Sequence, residues 1–98
     1  MAKRTIEEFW ADDVADTLAE RGLPHLRVRR HGDLLIVESG PRKSSIPHVR
    51  FRRETVHLWR LEIADHVGMW EMIPLRDQLD RLVTALLTNF PWTLEPRE

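Results

Sequence analysis

The spacing of apolar residues changes twice along this chain, from every three or four positions to every two and back again. That change restricts the fold more than any other feature, because the two periods belong to helix and strand respectively. Near the start, Ile6, Phe9, Trp10, Val14 and Leu18 fall on one helical face, which predicts a helix from Ile6 to Arg21. Thr5 and Glu8 stand at capping-box spacing, and Gly22 followed by Pro24 is a stop signal. Near the end, Leu75, Leu79, Leu82, Val83, Leu86, Leu87 and Phe90 form a broad apolar stripe, which predicts a second helix from Leu75 to Asn89.

Between them the period is two. Leu26 and Val28 alternate with Arg27 and Arg29, and Val49 and Phe51 alternate with Arg50 and Arg52. His31-Gly32-Asp33 is a turn leading into Leu34 to Val37, and Gly40 to Ser45 is a loop by composition. Glu54-Thr55 turns the chain into Val56 to Ile63, and Asp65 to Gly68 turns it into Met69 to Ile73. The expected order is α-β-β-β-β-β-α, an α+β fold. Two stripes of apolar helix surface are buried most simply on one face of a single antiparallel sheet. The 98 residues suffice for one domain, spanning 1–98, with frayed ends expected at 1–4 and 95–98.

With 42% hydrophobic and 32% charged residues and four tryptophans, the chain reads as a folded, well-solvated domain and not a disordered one. It has no cysteine, which removes disulfides, thiolate metal sites and cysteine nucleophiles. No apolar run approaches the roughly 18 residues that cross a bilayer, and no signal-peptide pattern follows Met1-Ala2-Lys3-Arg4, so a cytoplasmic protein without a membrane partner is expected.

The net charge of -1 conceals a segregation of charge. Residues 27–60 hold nine basic and three acidic side chains, while the segments before and after them are acidic. Arg27, Arg29, Arg50 and Arg52 are expected to project from the sheet face opposite the helices, joined by Arg60 if the loop between the third and fourth strands has three residues. Such a row can bind the phosphates of a nucleic acid or another anion. Against this stands the more ordinary expectation that arginines cover a sheet with their stems and pair with acidic side chains.

Enzymatic chemistry finds less support. His25, His31, His48, His57 and His66 show no metal-binding spacing, although strand pairing could bring His48 near His57, and they read as surface and turn residues. Ser39, Ser44 and Ser45 lie in no nucleophile motif. Glu62 and Glu71 could face each other across the fourth and fifth strands as an acid–base pair, with solvated carboxylates the ordinary alternative. Trp59, Leu61, Ile63, Trp70 and Met72 are expected on one core-facing side, with Trp92 the most exposed tryptophan and Val56 and Leu58 apolar on the open side. No catalytic residue, metal site or cofactor is expected.

From Glu20 onward the pattern resembles an uncharacterised bacterial family with an arginine-rich antiparallel sheet. The residues that carry the resemblance are Glu20-Arg21-Gly22-Leu23-Pro24-His25-Leu26-Arg27, Val49-Arg50-Phe51-Arg52, Trp59-Arg60-Leu61 with Asp65, Gly68 and Trp70, and Pro74-Leu75 before a leucine-rich helix. The resemblance implies the same helix, sheet and helix order and no known activity. The expected function is therefore a protein-interaction or accessory domain, as a homodimer or with another protein. The alternative is a nucleic-acid-binding module using Arg27, Arg29, Arg50, Arg52 and Arg60, and a small enzyme ranks last.

Overall fold

A computed structural model describes residues 6–65 and 67–96. The Thr5–Glu8 cap, His66, the chain start before Ile6 and the last two residues lie outside the described residues. Helix α1 (Ile6–Glu20) is followed by strands β1 (Arg27–His31), β2 (Leu34–Ser39), β3 (Ile46–Arg53), β4 (Trp59–Ala64) and β5 (Trp70–Asp77), then helix α2 (Leu79–Asn89) and a 3-10 turn over Pro91–Leu94. The strands form one antiparallel sheet in chain order, so every neighbour is joined by a local connection.

The end of α1 shows why the helix stops there. Leu23 donates its N–H to the Leu18 carbonyl at 3.0 Å and Gly22 donates to Ala19 at 3.1 Å, the paired bonds of a Schellman cap. This cap needs a left-handed residue, and Gly22 supplies it at φ 81°. The chain then enters β1, whose residues Val28 and Arg30 share the inner face with Val37 and Leu35.

Ala11, Val14 and Leu18 of α1, Leu82, Val83 and Leu86 of α2, and Leu35, Val37, Val49, Phe51, Trp59 and Leu61 of the sheet belong to one buried cluster. Both helices therefore cover the same face, α1 over β1 and α2 over β4 and β5, and the other face is open. Phe9 departs from the expected stripe and is 53% exposed. Trp92 is 60% exposed, as the tail pattern suggests.

Two hairpins set which side chains reach the open face. After β3, Glu54 donates to the Leu58 carbonyl at 2.8 Å and closes a three-residue loop. Arg60 is then opposite Arg52, so it joins the arginines. Val56 sits in that loop, 60% exposed, and not on the open sheet face. After β4, Asp65 donates to Met69 at 2.8 Å and its carboxylate accepts the N–H groups of Val67 and Met69, with Gly68 at φ 84°. The loop is one residue shorter than a four-residue Asp65–Gly68 turn, so Ala64 pairs with Trp70. A one-residue slip exchanges the faces of a strand. Trp70 and Met72 consequently lie on the open face instead of beside Trp59 and Leu61.

The same register separates Glu62 from Glu71. Glu62 is opposite Met72, and Glu71 is opposite Ile63 on the other face, so no carboxylate pair forms. β5 also continues to Asp77, where a strand ending at Ile73 was expected. An irregularity opposite Leu61 accommodates Pro74, which has no N–H for the ladder, and pairing resumes at Arg76 with Arg60. α2 therefore starts at Leu79, and Leu75 belongs to the sheet.

Candidate functional site

The open face is where the sequence-predicted site residues meet. Arg27 is opposite Glu38, Arg29 opposite Ile36, Ile36 opposite Arg50, and Arg50 opposite Glu62. One strand step away, Arg52, Arg60 and Arg76 stand side by side across β3, β4 and β5. Directly opposed like charges destabilise a sheet, so this row requires compensation.

Three glutamates supply it. Glu62, with its side chain 6% exposed, accepts Arg50 Nε at 2.8 Å and Arg52 Nε at 3.2 Å on the same oxygen. Glu38 accepts Arg29 Nε at 3.1 Å. Glu54, at the mouth of the three-residue loop, takes Arg76 through both carboxylate oxygens at 2.7 and 3.0 Å and also Arg60 at 3.2 Å. Two-point contacts of this kind hold a guanidinium in one orientation. Arg27 is fixed differently, by the Gly40 carbonyl and by Ser45 Oγ at 3.0 Å. The carboxylates come from the sheet and its hairpin, not from the helices, which lie behind the sheet.

Six arginines thus share the face with three glutamates, leaving three positive charges in excess. All six are arginine and none is lysine. The Arg50 guanidinium also sits 4.2 Å from the centroid of the Trp70 ring, and the strand partner of Trp70 is the small Ala64. Next to this pair is a shallow cleft of about 460 Å³ lined by Arg29, Arg42, Arg50, Glu38, Ser45 and Trp70. Arg42 has no side-chain partner among the described residues.

Sequence reasoning placed Arg27, Arg29, Arg50, Arg52 and Arg60 together, and the structure does the same. It missed Arg76, because the extension of β5 past Pro74 has no signature in the apolar pattern. It missed Trp70 and Met72 through the hairpin register.

Among the described histidines, the rings of His25 and His48 stand 6.5 Å apart, a pairing the sequence spacing does not suggest. His48 lies near the start of β3 and His57 in the loop beyond its end. His48 is not a surface residue but is fully buried. A β-bulge opposite Val37 and Glu38 gives β3 one extra residue, which turns His48 inward beside Val49. Its ring lies between the Ser39 hydroxyl, 2.8 Å from Nε2, and the Thr93 carbonyl, 2.7 Å from Nδ1. His25 Nε2 meets the Leu94 carbonyl at 2.9 Å. These bonds pin the C-terminal 3-10 turn to the sheet. Among the described residues no three His, Asp or Glu side chains are grouped to hold a metal ion.

No family model, curated protein or solved structure matches the chain.

Proposed function

We propose that the chain is a protein-interaction domain that receives an acidic surface of a partner protein on the open face of its sheet. The observation that carries this is the set of arginines held in place by three glutamates, Glu38 and Glu62 of them buried, with three positive charges left over. Ordering flexible side chains is a large cost of association, and here part of it is met before a partner arrives. The make-up of the face agrees. Arginine, tryptophan and methionine are enriched in protein interfaces and lysine is depleted, and this face carries arginines, Trp70 and Met72.

A second copy of the chain is a less suitable partner. α1 and the open face lie on opposite sides of the sheet, so a helix-to-sheet contact between copies is head-to-tail and leads to a ring or an open chain instead of a two-fold dimer. A two-fold dimer brings two open faces together, with like charge in excess on both.

A specific observation also favours a second reading, nucleic-acid binding: the same three excess charges suit a phosphate backbone, and Arg42 and Lys43 flank them. The two readings separate by amide chemical-shift mapping with a short oligoglutamate and with a single-stranded oligonucleotide of equal charge. The interaction reading expects the oligoglutamate to move the amides of Arg50, Arg52 and Glu62 and to leave α2 unmoved. No movement on the face, or an oligonucleotide bound about tenfold or more tighter, overturns it.

A further inference from the structure

On the other side of the molecule the helices do not close over the sheet completely. α1 packs towards β1 and α2 towards β4 and β5, and a groove of about 630 Å³ runs between them. Its floor is Trp10, Val14, Trp59 and Val83, with Leu79 and Val56 at the sides. Trp10 and Trp59 meet edge to face, with ring centroids 5.4 Å apart at 89°. The volume lies within the range of about 300–1,000 Å³ usual for small-molecule sites, and an apolar floor with a few polar groups at the rim is their ordinary composition.

The rim is selective in charge. Asp13 of α1 and Asp80 of α2 both line the groove, and both are exposed. Among the described residues neither carboxylate takes a hydrogen bond or an ion pair. The neighbouring hydroxyls do not compete for a ligand, because Thr17 and Thr84 donate to the backbone carbonyls of Asp13 and Asp80 at 3.0 and 3.1 Å. No lysine or arginine is among the described residues that line the groove; His57 is, and the Arg53 guanidinium stands 4.8 Å from the centroid of the Trp10 ring. An apolar slot between two unpaired carboxylates attracts a cation with an apolar body through charge at the rim and burial of the body.

We infer that the groove between α1 and α2 is a binding site for a small amphiphile that joins an aromatic or aliphatic body to a protonated amine. The body lies over Trp10, Trp59 and Val83, and the ammonium group lies at the rim near Asp13 and Asp80. The site is separate from the open sheet face, so it stands or falls independently of the partner proposed there.

The test uses an arylalkylamine, 2-naphthylmethylamine, and the carboxylate of matching shape, 2-naphthoate. Binding is followed through the indole N–H resonances of the four tryptophans. The amine is expected to move the Trp10 and Trp59 signals, to leave those of Trp70 and Trp92 in place, and to bind at least about tenfold more tightly than the carboxylate, the discrimination set by the rim charges. Asp13→Asn with Asp80→Asn is expected to remove that preference. Thr84→Trp, which fills the groove from an exposed position, is expected to abolish binding of both compounds while the thermal melt stays unchanged. Equal binding of amine and carboxylate, movement of Trp70 instead, no binding of either, or a preference that survives the double Asn change overturns the inference.

Discussion

The guanidinium carbon of Arg50 lies 4.2 Å from the centroid of the Trp70 ring. Arg50 also donates to Glu62 at 2.8 Å and is 17% exposed at its side chain, so it is held from two directions at once. Glu62 in turn is the shared acceptor of Arg50 and Arg52. Removing this one carboxylate charge leaves two neighbouring guanidinium groups of β3 without their shared counter-charge in a partly buried site.

Glu62→Gln is therefore expected to destabilise the domain. Breaking a fully buried pair by removing one member costs about 3–5 kcal/mol. Arg52 is 42% exposed and can turn towards water, so the expected cost here is lower, about 1–3 kcal/mol after that screening. Urea denaturation measures it. A change indistinguishable from zero means that the guanidinium groups are solvated and the ion pairs do not order the face.

The Ser39–His48–Thr93 chain gives a second expectation. His48→Phe keeps a ring of similar size but strands the Ser39 hydroxyl and the Thr93 carbonyl, both on buried residues. Each unsatisfied buried polar group costs about 1–3 kcal/mol. The substitution is expected to lower stability and to raise amide exchange at Thr93 and Leu94 first, because the 3-10 turn loses its tie to β3. Exchange that rises evenly across the sheet means that the histidine does not anchor the turn.

The element order was legible because the helix and strand periods are separate in the sequence, and Arg27, Arg29, Arg50 and Arg52 were placed on one face by alternation alone. Arg60 depended on a loop length, and the Glu54–Leu58 bond fixes that length at three. What escaped was decided by single residues. The turn closing at Asp65 and Met69 moved Trp70 and Met72 to the open face, and the bulge in β3 moved His48 into the core. Apolar alternation has the same appearance before and after a one-residue slip at a loop end, so neither event is written in it. The partners of the arginines were also decided this way, since the pairing of Arg50 with Glu62 follows from the β3–β4 register.

The packing of α2 is tested by its leucines. Leu82 and Leu86 are both 0% exposed and sit between the helix and the inner sheet face. Leu82→Ala or Leu86→Ala is expected to cost about 2–5 kcal/mol, as for other leucines whose removal leaves a cavity. Chemical denaturation with an unchanged slope measures it, and a loss far below 1 kcal/mol at both positions contradicts a core shared by the two helices.

Nucleic-acid binding, the competing use of the open face, has its own signature in salt. If all of Arg27, Arg29, Arg50 and Arg52 met phosphates as free charges, about four counterions would be released, and the log–log slope for duplex DNA would be close to -3.5. The glutamates change that figure. The three strand charges in excess of Glu38, Glu54 and Glu62 are free to replace counterions and contribute a slope near -2.7, from about 0.9 per phosphate, to which Arg42 beside them adds at most about -0.9. Arg52→Ala removes one of the three and is expected to flatten the slope by about one. It leaves Glu62 paired with Arg50, so the fold is retained. Arg50→Ala lowers the charge by the same amount but also uncovers Trp70 and leaves Glu62 to the more exposed Arg52. It is therefore expected to lower the melting temperature, which Arg52→Ala does not. Fluorescence anisotropy of a labelled oligonucleotide over a salt series, with a thermal melt of each variant, supplies both readouts. Under the acidic-partner reading the oligonucleotide binds weakly, and the two variants differ in stability but alike lose affinity for oligoglutamate. A slope unchanged by Arg52→Ala shows that phosphate contacts lie elsewhere on the chain and removes the open face as the nucleic-acid site.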